Sequence, residues 1–407
     1  MPAISERGLT LPLSPIRKLI PFSDAAKARG VKVYHLNIGQ PDLPTPQKAL
    51  DALKTIDRKT LSYTPSQGIK TLREKFSIYY DRIGVKGIGA DDILVTTGGS
   101  EAILFVLMAC LNPGDEVLLS EPGYANYFTI GHECGVKFKT ITSSIDNGFA
   151  LPPIEDFEKA ITDKTKAIMI CNPNNPTGYV YSEEELFKLR DIVKKHDLFL
   201  ISDEVYREFN FTGEPYYSTL SLEGIEDNVV VIDSVSKRYS ECGVRVGMIV
   251  TRNDELRKVF MKFCQGRLSP PILGQIIAEA SIIGTEEYSK ECFEDYLSRR
   301  NFFINGLNKI PGVHTPMPKG AFYTVVSLPV DSAEEFCKWC LTDFCYKDEK
   351  TPEGFTGETV MSAPAAGFYK TPGLGLNQVR MAYVLKVEDL DRSLFLLEKA
   401  LEQYNSR

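Results

Sequence analysis

The sequence predicts an α/β fold: a mostly parallel sheet sandwiched by helices, with a second, smaller α+β domain. Three observations carry this expectation. Short apolar or β-branched runs recur along the middle of the chain (Glu116–Ser120, Val136–Ile141, Lys166–Cys171, Leu198–Ser202, Val229–Asp233, Met248–Thr251), and helical stretches such as Ser182–His196 lie between some of them. Runs that brief and that apolar suit strands covered on both faces. The chemically capable residues fall just after these runs, at the carboxyl ends where parallel sheets collect ligands. Finally, 407 residues with 43% hydrophobic content are ample for more than one core. The expected division is a large domain over 46–304 and a small one built from 1–45 with 305–407.

Composition narrows the partners. A net charge of −7 without any long basic block argues against nucleic acid or an anionic membrane surface, and leaves room for a small anionic ligand held by a few arginines. The longest apolar run, Ala102–Leu111, is too short to cross a bilayer, and Met1–Thr10 has no apolar core followed by a cleavage-like site. The expectation is a cytoplasmic protein with no membrane partner. Nine cysteines, odd in number and irregular in spacing, read as reduced thiols. Cys337-Lys338-Trp339-Cys340 lies in a helical-looking run with no second pair nearby, so no metal site is expected.

In chain order, Leu13–Arg29 reads as a loop and then an amphipathic helix stopped by Gly30, and Val33–Ile38 as a strand ending in the irregular Gly39-Gln40-Pro41-Asp42-Leu43-Pro44-Thr45-Pro46. Tyr63 precedes a turn at Gly68 and a helix from Ile69; an aromatic there is ordinarily packing. The strand Ile93–Thr97 runs through Gly98-Gly99-Ser100-Glu101 into the helix Ala102–Leu111, and a glycine turn opening a helix offers unpaired N–H groups to a phosphate. Such turns also end strands that bind nothing. Tyr124, in Glu121-Pro122-Gly123-Tyr124, and Tyr127 read by themselves as core tyrosines. Cys171-Asn172-Pro173-Asn174-Asn175-Pro176-Thr177-Gly178 is a rigid turn. Asp203 ends the strand from Leu198, where a buried carboxylate is costly unless paired.

The next stretch is Ser234-Val235-Ser236-Lys237-Arg238-Tyr239-Ser240-Glu241-Cys242-Gly243-Val244-Arg245-Val246-Gly247. Beside apolar walls the Lys237 amine is expected to lose hydration, which lowers its pKa and suits it to a Schiff base with an aldehyde. Ser234, Ser236 and the planar fork of Arg245 suit a phosphate. The alternative is a surface loop rich in Ser, Lys and Arg. After Thr251 the chain turns helical again, through Phe263–Pro271 and into a helix from Ile272, and a long helix is expected around Tyr288–Leu307. Lys347–Thr359, charged and bearing Gly and Pro, is expected to be a mobile surface loop, and Asn377–Tyr383 alternates like a strand carrying Arg380.

Taken together, S-x-S-K with G-x-R-x-G, N-P-x-N-P-T-G, Y-x-x-x-x-G and the G-x-F of Gly320-Ala321-Phe322 resemble the class I/II aminotransferases, the fold-type I enzymes dependent on pyridoxal 5'-phosphate (PLP), and most closely bacterial aspartate aminotransferases. The chain departs from that pattern at Glu241, Cys242 and Val244, positions with no chemistry in the family, and at Ala363-Pro364-Ala365-Ala366-Gly367-Phe368. The resemblance implies that Lys237 carries PLP and acts as base and acid, that Asp203 keeps the pyridine nitrogen protonated, and that Asn175 and Tyr206 meet the phenolic oxygen. It implies that Tyr124 stacks on the ring and that Gly99, Ser100, Glu101, Ser234, Ser236 and Arg245 hold the phosphate. Tyr63 would reach the cofactor of a neighbouring subunit in a homodimer, and Gly39, Asn175 and Arg380 would bind the substrate α-carboxylate. The implied substrates are an amino acid and a 2-oxo acid, with aspartate and 2-oxoglutarate the preferred pair, and Arg17 or Arg267 the candidate for a side-chain carboxylate. Rival readings are an aromatic, alanine or broad-specificity aminotransferase, a β-lyase, a PLP-binding regulator and a phosphate-binding protein without PLP.

Overall fold

The computed structural model describes residues 2–407. Twelve strands among them build three sheets: β1 (Val31–His35), β2 (Ile93–Thr96), β3 (Glu116–Glu121), β4 (Lys137–Thr142), β5 (Thr165–Cys171), β6 (Phe199–Asp203), β7 (Val229–Ser234), β8 (Gly247–Val250), β9 (Tyr323–Ser327), β10 (Gly357–Met361), β11 (Ala363–Pro364) and β12 (Gln378–Ala382). The main sheet has seven strands in the order β2-β8-β7-β6-β5-β3-β4. Only β8 runs against its neighbours; the other pairings are parallel. The mostly parallel sheet of the sequence reading is therefore present.

Every residue of β2, β7 and β8 is buried, which explains why these runs are apolar without alternation. Successive side chains still point to opposite faces. Val229 and Val231 enter one core with Ile168, Leu200 and Met248, while Val230 and Ile232 enter the other with Met169, Ile201 and Ile249. Two cores press on one sheet, and its rigid edge is where side chains can be aimed.

That edge gathers the chemistry. Because the strands other than β8 share a direction, the residues that follow β2, β3, β5, β6 and β7 all emerge on one side of the sheet. The reversed β8 brings its beginning, and Arg245 just ahead of it, to the same side. The helix Gly98–Cys110 starts at the glycines themselves, earlier than the apolar run suggested. Gly247 fits under that start because it lacks a side chain: a Cβ there would lie 2.5 Å from the Gly98 carbonyl carbon and 2.7 Å from the Gly99 nitrogen.

Outside the main sheet, β1 pairs in parallel with β10, and β12 lies between β11 and β9 in antiparallel register, with Arg380 opposite Val325. The expectation of a mobile loop over Lys347–Thr359 fails at its end. Gly357–Thr359 opens β10, where every residue is buried. Glu358 accepts hydrogen bonds from the Tyr34 hydroxyl (2.8 Å) and Arg392 Nε (3.0 Å), and Arg392 also pairs with Asp348 at 2.7 Å. Charges that look solvated in sequence are here partners across 34 and 44 residues. Cys337 and Cys340 are buried free thiols in the helix Ala333–Thr342, and no described helix is long and apolar enough to cross a membrane.

The Gly247 contact gives a direct test. Gly247→Ala forces the helix start away from the sheet, and should cost roughly 1–3 kcal/mol in denaturant unfolding.

Candidate active site

A cavity of about 350 Å³ opens at the reactive edge. It is lined by Gly99, Ser100, Tyr124, Asn175, Asp203, Tyr206, Ser234, Ser236, Lys237 and Arg245 from the main sheet's loops, and by Arg17, Gly39 and Arg380 from outside it. Three residues singled out in the sequence stand elsewhere. Glu101 faces away from the cavity: its carboxylate accepts from Thr97 N–H at 2.8 Å and pairs with Arg267 at 2.5 Å. Arg267, with a further bond to Ser66 O at 2.9 Å, is held by groups outside the cavity lining. Tyr63 is 79% exposed and does not line this chain's cavity.

Lys237 lies in a single helical turn, Val235–Arg238, directly after β7. The Ser234 hydroxyl caps the turn by accepting from Ser236 N–H at 3.1 Å. The lysine Nζ donates to Gly39 O at 2.8 Å and sits 3.6 Å from Cys242 Sγ. Desolvation works to lower its pKa, but Tyr323, Cys242 and Tyr124 outweigh it and hold the amine above the ordinary lysine value. The expected depression is thus absent from the free side chain, and Cys242, passed over in the sequence, touches the key amine.

Asp203 ends β6 almost fully buried. Tyr127 donates to its Oδ2 at 2.6 Å and Val205 N–H to its Oδ1 at 3.3 Å. Burial still wins, raising the carboxyl from 3.8 to about 6. Tyr127, read as core, is both core and the donor that orients this acid. Tyr124 meets Tyr127 edge-on at 5.2 Å. Across the cavity the Tyr206 hydroxyl lies 3.0 Å from that of Tyr323, and burial pushes the Tyr206 phenol well above its usual range, so it remains a proton donor.

Behind these groups sits a buried ion network. Arg238 places one terminal nitrogen 2.9 Å from both oxygens of Asp233; Arg207 reaches Asp233 at 3.0 Å and Glu204 at 2.9 Å. The residues following Lys237 and Asp203 are thereby tied together.

The cations that face the cavity are differently placed. Arg380 is 2% exposed, yet its partners are Asn175 Oδ1 (3.1 Å) and the Asn37 carbonyl, and its Nε is buried without a partner. Desolvation lowers its pKa, opposed by Tyr323, Tyr206 and Tyr124, and Arg17 lowers it further. Arg245, with φ of 56°, donates to the carbonyls of Cys242 and Thr97 at 3.0 and 3.5 Å. Neither arginine pairs with a carboxylate among the described residues. Among the cavity groups, Tyr127 was read only as core, Cys242 only as a departure without chemistry, and Tyr323 only through the nearby G-x-F.

The raised Asp203 pKa implies a stability penalty. A carboxyl whose pKa rises on folding favours the native state below its unfolded value of 3.8, and that contribution is lost as the pH climbs through about 6. In cofactor-free protein, Asp203→Asn should therefore raise resistance to denaturant near neutrality by roughly 1–3 kcal/mol and change little near pH 4.

Comparison with known proteins agrees with this geometry. Residues 31–352 match the family Aminotransferase class I and II. The aromatic-amino-acid aminotransferase 2 of Thermococcus litoralis is 29% identical over 411 residues, covering 98% of this chain and 99% of that one. The crystal structure of aspartate aminotransferase from Thermotoga maritima superposes with a TM-score of 0.87 at 28% identity, covering 98% of this chain and 100% of that one. The alanine aminotransferase of Pyrococcus furiosus gives a TM-score of 0.87 at 29% identity with the same coverage. With its sheet, its lysine turn and its match over most of its length, the chain belongs to the class I and II aminotransferases, the PLP-dependent transaminases acting on amino and 2-oxo acids.

Proposed function

We propose that this aminotransferase moves the amino group of an L-amino acid, preferably aspartate, to 2-oxoglutarate by a ping-pong mechanism, with PLP held in the cavity described above. One observation carries the reading: along a single cavity stand a buried, carboxylate-free guanidinium at Arg380, an amine at Lys237 and a second carboxylate-free guanidinium at Arg245. That order suits a carboxylate, a carbonyl and a phosphate.

The residues fit the cofactor. Arg245, Ser236, Ser234 and the helix start at Gly99 and Ser100 would hold its phosphate, and Lys237 its aldehyde. Asp203, buried and desolvated, gains from a cationic ring nitrogen as partner. Asn175 and Tyr206 would face the ring oxygen, and Tyr124 the ring itself. When bound, the cofactor supplies an electron sink for the charge left as a proton leaves the substrate Cα. Lys237 takes that proton and returns it. Arg380 fixes the α-carboxylate with its planar fork, so that Cα is presented to Lys237.

Aspartate is preferred because Arg17 supplies a second cation to the same cavity, while Arg267 is committed to Glu101. An aromatic or alanine donor is the second reading, favoured by the likeness to proteins named for those substrates. Tyr63 is proposed to complete the site of a partner subunit in a dimer; the exposed Leu61, Leu268 and Leu273 support an apolar interface beside it.

Two outcomes test the proposal. Across a panel of amino acids with 2-oxoglutarate, aspartate should show the highest kcat/KM, with parallel initial-rate plots; intersecting plots would refute ping-pong. Arg17→Ala should raise KM for aspartate by roughly 10-fold or more, the loss of one charge-assisted contact, while leaving KM for phenylalanine nearly unchanged. An equal effect on both donors would remove Arg17 from the subsite.

A further inference from the structure

We infer that Tyr323 is a positioning residue of the transamination site, coupling the Tyr206 hydroxyl to the Gly39 peptide. The inference rests on the cofactor reading above and concerns this chain's own hydrogen bonds. Tyr323 opens β9 and is 3% exposed. Its hydroxyl stands 3.0 Å from the Tyr206 hydroxyl and 3.3 Å from Gly39 O. Gly39 O also accepts from Lys237 Nζ at 2.8 Å. Arg380 lies over the Tyr323 ring at 4.6 Å. One phenol thus touches the groups that face the cofactor, the reactive amine and the substrate carboxylate.

Proton arithmetic makes the arrangement two-state. Each phenol carries one proton. If Tyr323 donates to Gly39 O, the Tyr206 proton can fill the bond between the two hydroxyls, and Tyr206 then offers the cavity only a lone pair. If Tyr206 turns its proton into the cavity, the bond between the phenols survives only when Tyr323 donates to Tyr206, and Gly39 O loses that donor. A phenol that accepts a hydrogen bond is itself a stronger donor. Tyr323 therefore strengthens Tyr206 towards an oxygen anion in the cavity, and at the same moment loosens the peptide on which Lys237 rests. The backbone enforces this closeness: a Cβ at Gly39 would overlap the Tyr323 phenol.

The readout is the visible absorption of the PLP-loaded protein titrated with pH. Tyr323→Phe keeps the ring under Arg380 and removes only the oxygen. With Tyr206 a weaker donor, the ring-oxygen anion is less stabilised, so the pH midpoint of the band should rise by about half a unit or more. Gly39→Ala, which displaces the phenol, should move it the same way, and the double variant should add little. The ionisable and charged groups facing the pair, namely Lys237, Arg380, Tyr124, Cys171 and Tyr383, are unchanged in every variant. A band whose midpoint is the same in wild type, Tyr323→Phe and Gly39→Ala would overturn the role of Tyr323 while leaving the cofactor reading standing. Wild-type protein without any such band after incubation with PLP would overturn both.

Discussion

Two arginines, Arg207 and Arg238, converge on the fully buried carboxylate of Asp233, and the placement of the whole reactive edge depends on that convergence. Burying such charges is expensive, and the cost is offset only while every partner stays in place. The network spans neighbouring strands. Asp233 lies on β7 one residue before Ser234, Arg238 follows Lys237, and Glu204 and Arg207 follow Asp203 on β6. Neither the lysine turn nor the acid-bearing strand end can shift without breaking a bond shared by both. The hydroxyls of Tyr79 and Tyr80, near Arg207 and Asp233, seal the network from the opposite side.

The two sides of this edge treat charge in opposite ways. Behind it, each cation meets a carboxylate. In front, Arg380 and Arg245 meet only carbonyls and an amide oxygen, and Asp203 meets only a phenol and an N–H. Of these, Arg380 and Asp203 are buried, and they have free energy to gain from a ligand of opposite charge, which is how a rigid fold stores binding energy in its unliganded state. Glu241 is a quieter case: pushed up to about 7 by burial and held by Ser281, it sits in the loop between Lys237 and Arg245 and forms no ion pair among the described residues.

Much of this was legible before any coordinates. The buried strands announced themselves because residues covered on both faces are apolar throughout, and the candidate residues fell at strand ends because a parallel sheet exposes its chain only there. Asp203 and Lys237 could be singled out on that basis and Arg245 by its planar fork, while Asn175 was marked only by the likeness to a family, which also gave the others their roles. What stayed hidden depends on distant pairing. Nothing local to Glu101 says that Arg267, 166 residues away, will claim it. Nothing in Lys347–Thr359 says that Glu358 will be buried against Tyr34 and Arg392. The free-amine pKa of Lys237 differs from expectation for the same reason: its apolar neighbours in sequence are visible, whereas Tyr323, on β9, and Tyr124, in the turn after β3, are distant in the chain.

The carboxylate-free guanidiniums also bear on how the enzyme is handled. Sulfate, citrate or inorganic phosphate in a solution will compete for Arg380 and Arg245 with the carboxylate and phosphate proposed for them, since each is an oxyanion that a guanidinium fork grips in the same way. Apparent Michaelis and cofactor dissociation constants will accordingly depend on the choice of buffer, and media free of such oxyanions will give the tighter values.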